Sequence, residues 1–248
     1  MSKCLIVTGG GRGIGAEVSR KAAKQGYSVC VNFHRDQTSA QKLVRELEEN
    51  GANAMAYQAD VSQEEEVEAL FQTVEKHLGT PEALVNNAGI LDLQTRVDGM
   101  NAERIQRIFA VNVTGSFLCA REAVKRMSTK YGGKGGSIVN LSSGAAKYGS
   151  PGEYVDYAAS KAAIDTLTIG LAKEVAEEGI RVNAVRPGFI DTEIHQSGGE
   201  PDRMERVRPL VPMKRVGQAE EVADAIMWLL SDKASYTTGT ILDVSGGR

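Results

Sequence analysis

The chain alternates two kinds of segment from end to end, and few folds satisfy that pattern. Short apolar runs rich in β-branched residues occur at Cys4–Thr8, Ser28–Phe33, Asn53–Gln58, Ala83–Asn86, Ser137–Leu141, Ile180–Val185 and Thr240–Val244. Between them, helical periodicity marks Ile14–Gln25, Thr38–Glu49, Glu64–Leu78, Ala102–Met127, Tyr154–Glu178 and Ala219–Leu230. Several of the short runs are apolar at consecutive positions, so both faces of those strands must be covered. That is the signature of a parallel sheet whose crossover helices lie on both sides. The expectation is a doubly wound α/β fold with a parallel seven-stranded sheet.

At 248 residues the chain is long enough for one such unit, and no segment reads as a linker. Lys130-Tyr-Gly-Gly-Lys-Gly-Gly136 is too short to separate domains. The longest aperiodic stretch is Gly188–Gly217, which holds Gly198-Gly199, Pro201, Pro209 and Pro212, with a short helix expected near Asp202–Val207. Loops of that length inside a domain usually cover a binding site. The organisation expected is one cofactor domain over residues 1–248, with residues 188–217 as its substrate-binding lid.

Charge and cysteine content exclude several functions. A net charge of −3 gives no field to attract nucleic acid or an anionic membrane. No apolar stretch approaches the roughly 20 residues that span a bilayer, and the start does not read as a signal peptide, so a cytoplasmic location is expected. Cys4, Cys30 and Cys119 sit in apolar runs and read as buried thiols of a reducing compartment. His34, His77 and His195 form no ligand pair at helical spacing, so no protein-held metal is expected.

Twenty-seven glycines are scattered between the apolar runs, and a cluster follows the first strand: Thr8-Gly-Gly-Gly-Arg-Gly-Ile-Gly15. Glycines at a strand-to-helix turn let backbone approach a pyrophosphate, while the helix N-terminus supplies free N–H groups and a positive dipole. Gly9, Arg12, Gly13, Ile14 and Gly15 are therefore candidate nucleotide contacts, and the fold expected is Rossmann-type. The second strand ends Val31-Asn-Phe-His-Arg-Asp36, so Phe33 stands where an acid would bind a ribose 2′-hydroxyl, about 20 residues beyond Gly13. Arg12 and Arg35, with Asn32 and His34 beside them, suit a 2′-phosphate, because guanidinium pairs bidentately with phosphate oxygens. NADP is favoured over NAD; Asp36, one register away, keeps NAD open.

Of the seven tyrosines only Tyr157 has a lysine four residues on, in Tyr157-Ala-Ala-Ser-Lys161. On a helix the two share a face. A cation about 5 Å from a phenol at an effective dielectric of about 20 contributes roughly 3 kcal/mol, which lowers the phenol pKa by about two units. Such a tyrosine can protonate the alkoxide left when hydride reaches a carbonyl carbon. The preceding strand ends Val139-Asn-Leu-Ser-Ser143, where a serine hydroxyl can bond the substrate oxygen or cap a turn.

With these motifs in this order, the chain resembles the short-chain dehydrogenase/reductase family over essentially its whole length. The resemblance implies that Asp60-Val61 contacts the adenine, and that Asn86-Asn87-Ala88-Gly89 closes the fourth strand over the cofactor. It further implies that Pro187-Gly188 with Ile190 and Thr192 surrounds the nicotinamide carboxamide. Asn112, Ser143, Tyr157 and Lys161 match the catalytic tetrad. In the family's mechanism, pro-S hydride passes between nicotinamide and carbonyl or alcohol, and Tyr157 exchanges the proton. Lys161 lowers the tyrosine pKa and binds the nicotinamide ribose, Ser143 positions the substrate oxygen, and Asn112 with a water extends the relay. The family's serine usually lies about 13 residues before the tyrosine, a count that reaches Gly144 here, so Ser143 is favoured with Ser142 as the alternative.

The resemblance is to glucose-dehydrogenase-like and 3-oxoacyl-thioester-reductase-like members, and it implies a homotetramer. Tyr148, Glu153, Tyr154, Ile190, Glu193 and His195 are candidate pocket residues, a polar set that favours a small polar ketone, sugar or polyol as substrate. A 3-oxoacyl-thioester substrate is the alternative; Arg121, Lys125, Arg126 and Lys130 would then meet its carrier protein, unless they form a solvated face or a subunit interface. A catalytically silent NADP-binding sensor or scaffold is the non-enzymatic reading.

Overall fold

The computed structural model of the chain describes residues 2–192 and 203–248. Its strands are β1 (Cys4–Val7), β2 (Ser28–Phe33), β3 (Ala54–Gln58), β4 (Pro81–Asn86), β5 (Gly136–Leu141), β6 (Ile180–Pro187) and β7 (Ile241–Val244). They form one sheet in the order β3-β2-β1-β4-β5-β6-β7, and each neighbouring pair is parallel. The chain winds outward from β1 to β3, then returns to start β4 on the other side of β1. The two halves part at the carboxyl ends of β1 and β4, where ligands of open α/β sheets bind.

Adjacent residues of one strand feed two different cores, which is why the runs are apolar at successive positions. Leu5 and Val7 pack on one face with Val29, Val31, Val85 and Val139, under α1 (Gly13–Lys24), α2 (Gln37–Glu49) and the Ala219–Leu230 helix. Cys4, Ile6, Cys30, Leu84 and Ile138 face the other side, under α3 (Glu64–Leu78), α5 (Gly115–Met127) and α7 (Val155–Val175). All three cysteines are buried free thiols, and burial pushes those of Cys4 and Cys119 up to about 12.

Two helical segments depart from the expectation. The periodicity of Ala102–Met127 suggests one helix, but the chain forms α4 (Ala102–Phe109), a wide π turn over Ala110–Thr114, and then α5. The cause is Asn112, whose fully buried side chain accepts from the Ile90 N–H at 2.8 Å. It also donates to the Ile90 carbonyl and the Ser160 hydroxyl, each at 3.0 Å. An inserted residue of this kind aims a side chain inward at the expense of helix regularity. The other departure is a one-turn helix, α6 (Ala145–Tyr148), too short to show a hydrophobic period.

A buried polar ladder ties the sheet to α7. Asn86 donates to the Asn140 side-chain oxygen at 3.0 Å, and Asn140 donates to the Thr168 hydroxyl at 2.9 Å. Removing one rung strands a desolvated amide. Thr168→Val, which keeps the volume, should therefore lower the unfolding free energy by about 1–3 kcal/mol, read from urea denaturation.

Candidate active site

The glycine turn is held from below and from the side. Asn32 is buried; its side-chain oxygen accepts from the Gly9 N–H at 3.3 Å while its amide donates to the Ala59 carbonyl at 3.1 Å. The Thr8 hydroxyl accepts from the N–H groups of Asn87 and Ala88, both at 3.0 Å. The Asn87 amide returns two bonds, to the carbonyls of Thr8 and Gly9 at 2.9 Å. Asn32 and Asn87 thus spend these groups on backbone and build the turn. Gly9 has φ +59°, and a Cβ on Gly15 would lie 2.6 Å from both the Gly9 oxygen and the Asn87 amide. Glycine is required at both. No side chain caps the start of α1, so the N–H groups of its first turn are left for an anion. These features fit a dinucleotide pyrophosphate.

At the outer end of the turn, Phe33 is buried and His34 and Arg35 are exposed. His34 Nε2 lies 3.7 Å from an Asp60 oxygen. Asp60 also accepts from the N–H and hydroxyl of Ser62, and Val61 is packed against Gly115. The Asp36 carboxylate caps α2 by accepting from the Ser39 N–H at 3.0 Å, and it pairs with Arg12 at 3.3 Å. The Ser39 bonds, then Arg12, hold its pKa below the usual carboxylate range.

Tyr157 and Lys161 lie one turn apart on α7, and the ammonium stands 5.7 Å from the centre of the phenol ring. Lys161 is buried and donates to the Leu141 carbonyl at 2.7 Å. Burial lowers its pKa to about 8, against the opposing pull of the Asp165 carboxylate. Asp165 is in turn gripped by Arg186, at 2.8 and 3.0 Å. The sequence carried a signal for Asp165 that a search for a tyrosine–lysine pair passes over: positions 157, 161 and 165 continue one helical face.

The start of α7 is anchored by a second ion pair that sequence reasoning missed. Arg104 on α4 donates to both oxygens of Asp156 and to the Leu93 carbonyl. Asp156 also accepts from the Tyr157 N–H at 2.9 Å. No spacing rule links residues 104 and 156, which only the packing of α4 on α7 brings together.

Of the two candidate serines, Ser142 is buried and its hydroxyl donates to the Lys161 carbonyl at 3.2 Å. Ser143 accepts from the Ala145 N–H at 3.1 Å, which starts α6 and leaves its own proton for another acceptor. Asn112 does not reach the tyrosine directly. It clamps Ile90 and bonds Ser160, whose hydroxyl donates to the Tyr157 carbonyl at 2.7 Å. Asn112 and Lys161 converge on Gly89, where a Cβ would lie 3.4 Å from the ammonium and 3.5 Å from the Asn112 oxygen.

A cavity of about 340 Å³ opens over these groups. Ile14, Asn87, Gly89, Ser143, Tyr157, Lys161, Pro187, Gly188, Ile190 and Thr192 all line it, so the nicotinamide end expected from sequence and the tetrad residues other than Asn112 meet in one space. Gly13 packs beside Thr192, with 3.4 Å from a built Cβ to the threonine methyl. Tyr148, Glu153 and Tyr154 are in the wall as expected, but they are joined by Leu91, Phe189, Val207 and Leu210, which the polar reading of the loop omitted. Glu193, His195 and Gly198-Gly199 lie outside the described residues. Ile190 and Gly217 form a parallel bridge, and Arg203–Val207 is helical near the expected place. Among the described residues no helix is long and apolar enough to cross a membrane.

The basic residues of α5 and the following turn are mostly neutralised. Arg121 pairs with Glu64, Glu68 and Glu122; Arg126 with Glu75 and Glu122; and Lys125 with Glu122. Lys130 stacks on Tyr131, 5.5 Å from its ring centre.

The fold and its glycine turn suit a nucleotide-dependent oxidoreductase, and comparison with known proteins agrees. Residues 9–248 match the family described as Enoyl-(Acyl carrier protein) reductase. The chain is 58% identical over 243 residues to the uncharacterized oxidoreductase YgfF of Escherichia coli, covering 98% of each chain. It is 38% identical to glucose 1-dehydrogenase 2 of Bacillus subtilis, covering 99% of this chain and 94% of that one. Against the 3-oxoacyl-[acyl-carrier-protein] reductase FabG of Staphylococcus aureus the identity is 36%, covering 100% and 98%. The chain belongs to the short-chain dehydrogenase/reductase family and is an NAD(P)-dependent oxidoreductase acting on CH–OH groups.

The lowered Lys161 pKa has a consequence for stability. Folding holds this amine at about 8 instead of its ordinary 10.5, so within that window the unfolded chain binds more protons. The Lys161 contribution to stability therefore rises as pH climbs from 8 to 10, and below 8 the buried charge is a cost. Urea unfolding should show wild type gaining on Lys161→Met across that interval.

Proposed function

We propose that the protein is an NADP(H)-dependent oxidoreductase that interconverts a small carbonyl compound and its alcohol through Ser143, Tyr157, Lys161 and Asn112. The observation that carries this reading is the convergence of Ser143, Tyr157 and Lys161 on one cavity whose other wall is the end of the glycine turn. When bound, the nicotinamide cofactor supplies or accepts hydride. Tyr157 gives the alkoxide its proton in reduction and removes it in oxidation. Below about pH 8 Lys161 carries its charge beside the phenol and favours the phenolate, so the tyrosine can exchange its proton near neutrality. Lys161 also bonds the nicotinamide ribose in this reading. Ser143 donates to the substrate oxygen, and Asn112 holds the Gly89–Ile90 backbone and, with a water, extends the relay.

NADP is favoured because Asp36, the acid that follows the second strand, is already engaged by Arg12 and by the start of α2, while His34 and Arg35 stand exposed beside Phe33. The 3-oxoacyl-thioester alternative is the weaker one, since Arg121, Lys125 and Arg126 already have acidic partners. A small polar ketone, sugar or polyol fits the enclosed volume, which must also admit the nicotinamide. The same reading takes residues 1–248 as one cofactor domain with 188–217 as its lid, working as a cytoplasmic homotetramer.

Tyr157→Phe should reduce kcat by about 10²–10⁴-fold on any substrate found in a screen of ketones, aldoses, polyols and acyl-thioesters, with cofactor binding retained. Unchanged turnover would remove the tyrosine mechanism and reopen the sensor or scaffold reading. Replacing Arg12 and Arg35 together by alanine should weaken NADPH binding by about tenfold or more relative to NADH, the worth of a charge-assisted phosphate pair. Equal losses for the two cofactors would overturn the NADP assignment.

A further inference from the structure

Arg248 lines the same cavity as Tyr157. Its guanidinium is held between two aromatic rings, 4.8 Å from the centre of Tyr148 and 4.6 Å from that of Phe189. A guanidinium sandwiched in this way has its flat faces occupied and keeps only its edge for hydrogen bonds. No acid among the described residues pairs with it, and Nη1 is buried without a hydrogen-bond partner. The Tyr148 hydroxyl, beside it in the same wall, is also buried without one. A chain seldom leaves two such donors unmatched in one place unless something else completes them.

The charge balance of the cavity points the same way. Among its described lining residues Lys161, Arg206 and Arg248 are cationic and Glu153 alone is acidic, and Glu153 is already matched by Arg206 at 3.0 Å. The pocket is positive in a chain whose net charge is −3. Lys161 is committed to the Leu141 carbonyl and to the tyrosine. Among the described lining residues Arg248 is therefore the cation left for a ligand.

We infer that the substrate is a small oxo acid or hydroxy acid, whose carboxylate takes the edge of Arg248 while its carbonyl or hydroxyl group meets Tyr157 and Ser143. This names the substrate class of the site proposed above and rests on that reading. A planar carboxylate matches the guanidinium edge bidentately, and the Tyr148 hydroxyl can supply a further bond. The aromatic walls and Leu91, Val207 and Leu210 then enclose the short carbon chain between the two ends. A neutral sugar or ketone would leave the Arg248 edge unmatched, a cost that selects against it.

The test compares short-chain oxo acids, with the keto group at successive positions, against their methyl esters, using wild type, Arg248→Gln and Arg248→Lys with NADPH. For the preferred chain length, wild-type kcat/KM should favour acid over ester by about tenfold or more, the worth of one charge-assisted pair. Arg248→Gln should bring that ratio near one, and Arg248→Lys should keep part of it. Esters used as well as acids by wild type, or a ratio unmoved in Arg248→Gln, would overturn the assignment. So would a variant whose only loss is in NADPH affinity. If wild type turns over neither acids nor esters but does reduce other carbonyl compounds of the screen, the oxo-acid assignment is overturned and the tyrosine mechanism stands; if it turns over no compound of either set, the carbonyl mechanism fails. Calorimetry of the corresponding hydroxy acids with the NADP-loaded protein then decides the anion site separately: binding lost in Arg248→Gln supports it, and no binding to wild type sinks it.

Discussion

A parallel sheet cannot be closed by hairpins, so each strand here hands the chain to a segment that must cross back over one face. With helices on both faces, the sides of the sheet are sealed by two apolar cores, and water reaches backbone at the strand ends. Chemistry is thereby confined to the carboxyl edge, where β1 and β4 part. Thr8 after β1, Asn87 after β4, the serines after β5 and Pro187 at the end of β6 all come to that edge because each follows a strand. The glycine turn and the serines after β5 are neighbours for the same reason.

Within that edge the placement of one buried cation governs the rest. Lys161 is removed from water, so its charge acts on Tyr157 with little screening, but the same burial weakens its own hold on a proton. The Leu141 carbonyl and Asp165 offset that penalty, and Arg186 keeps Asp165 in position. The π turn at Asn112 belongs to the same arrangement. It gives up helix regularity to fix the Gly89–Ile90 backbone against which the ammonium packs. The positive lining at Arg248 is then a second charge problem in the same cavity, one that the described residues meet with aromatic faces and no paired carboxylate.

The seven strands, their parallel pairing and the glycine turn were legible in the sequence because each rests on a local pattern: two-sided apolarity, crossover length, and glycine where a Cβ collides. Tyr157 and Lys161 were legible because a helix makes their juxtaposition a matter of counting. The sequence favoured Ser143 over Ser142 by position alone; the difference in their bonding is tertiary, since both serines end the same strand and only the Ser142 hydroxyl is spent on the Lys161 carbonyl.

What the sequence could not express is any contact between elements far apart in the chain. Arg104 with Asp156, Asp165 with Arg186, the acids of α3 on the cations of α5, and Arg248 between Tyr148 and Phe189 all pair across helices and loops that only packing brings together. Local backbone geometry determined the fold and the juxtaposition of Tyr157 with Lys161, because both depend on periodicities of two and 3.6 residues. The balance of charge in the pocket was decided by tertiary structure, because a charge is free or neutralised according to its neighbours in space.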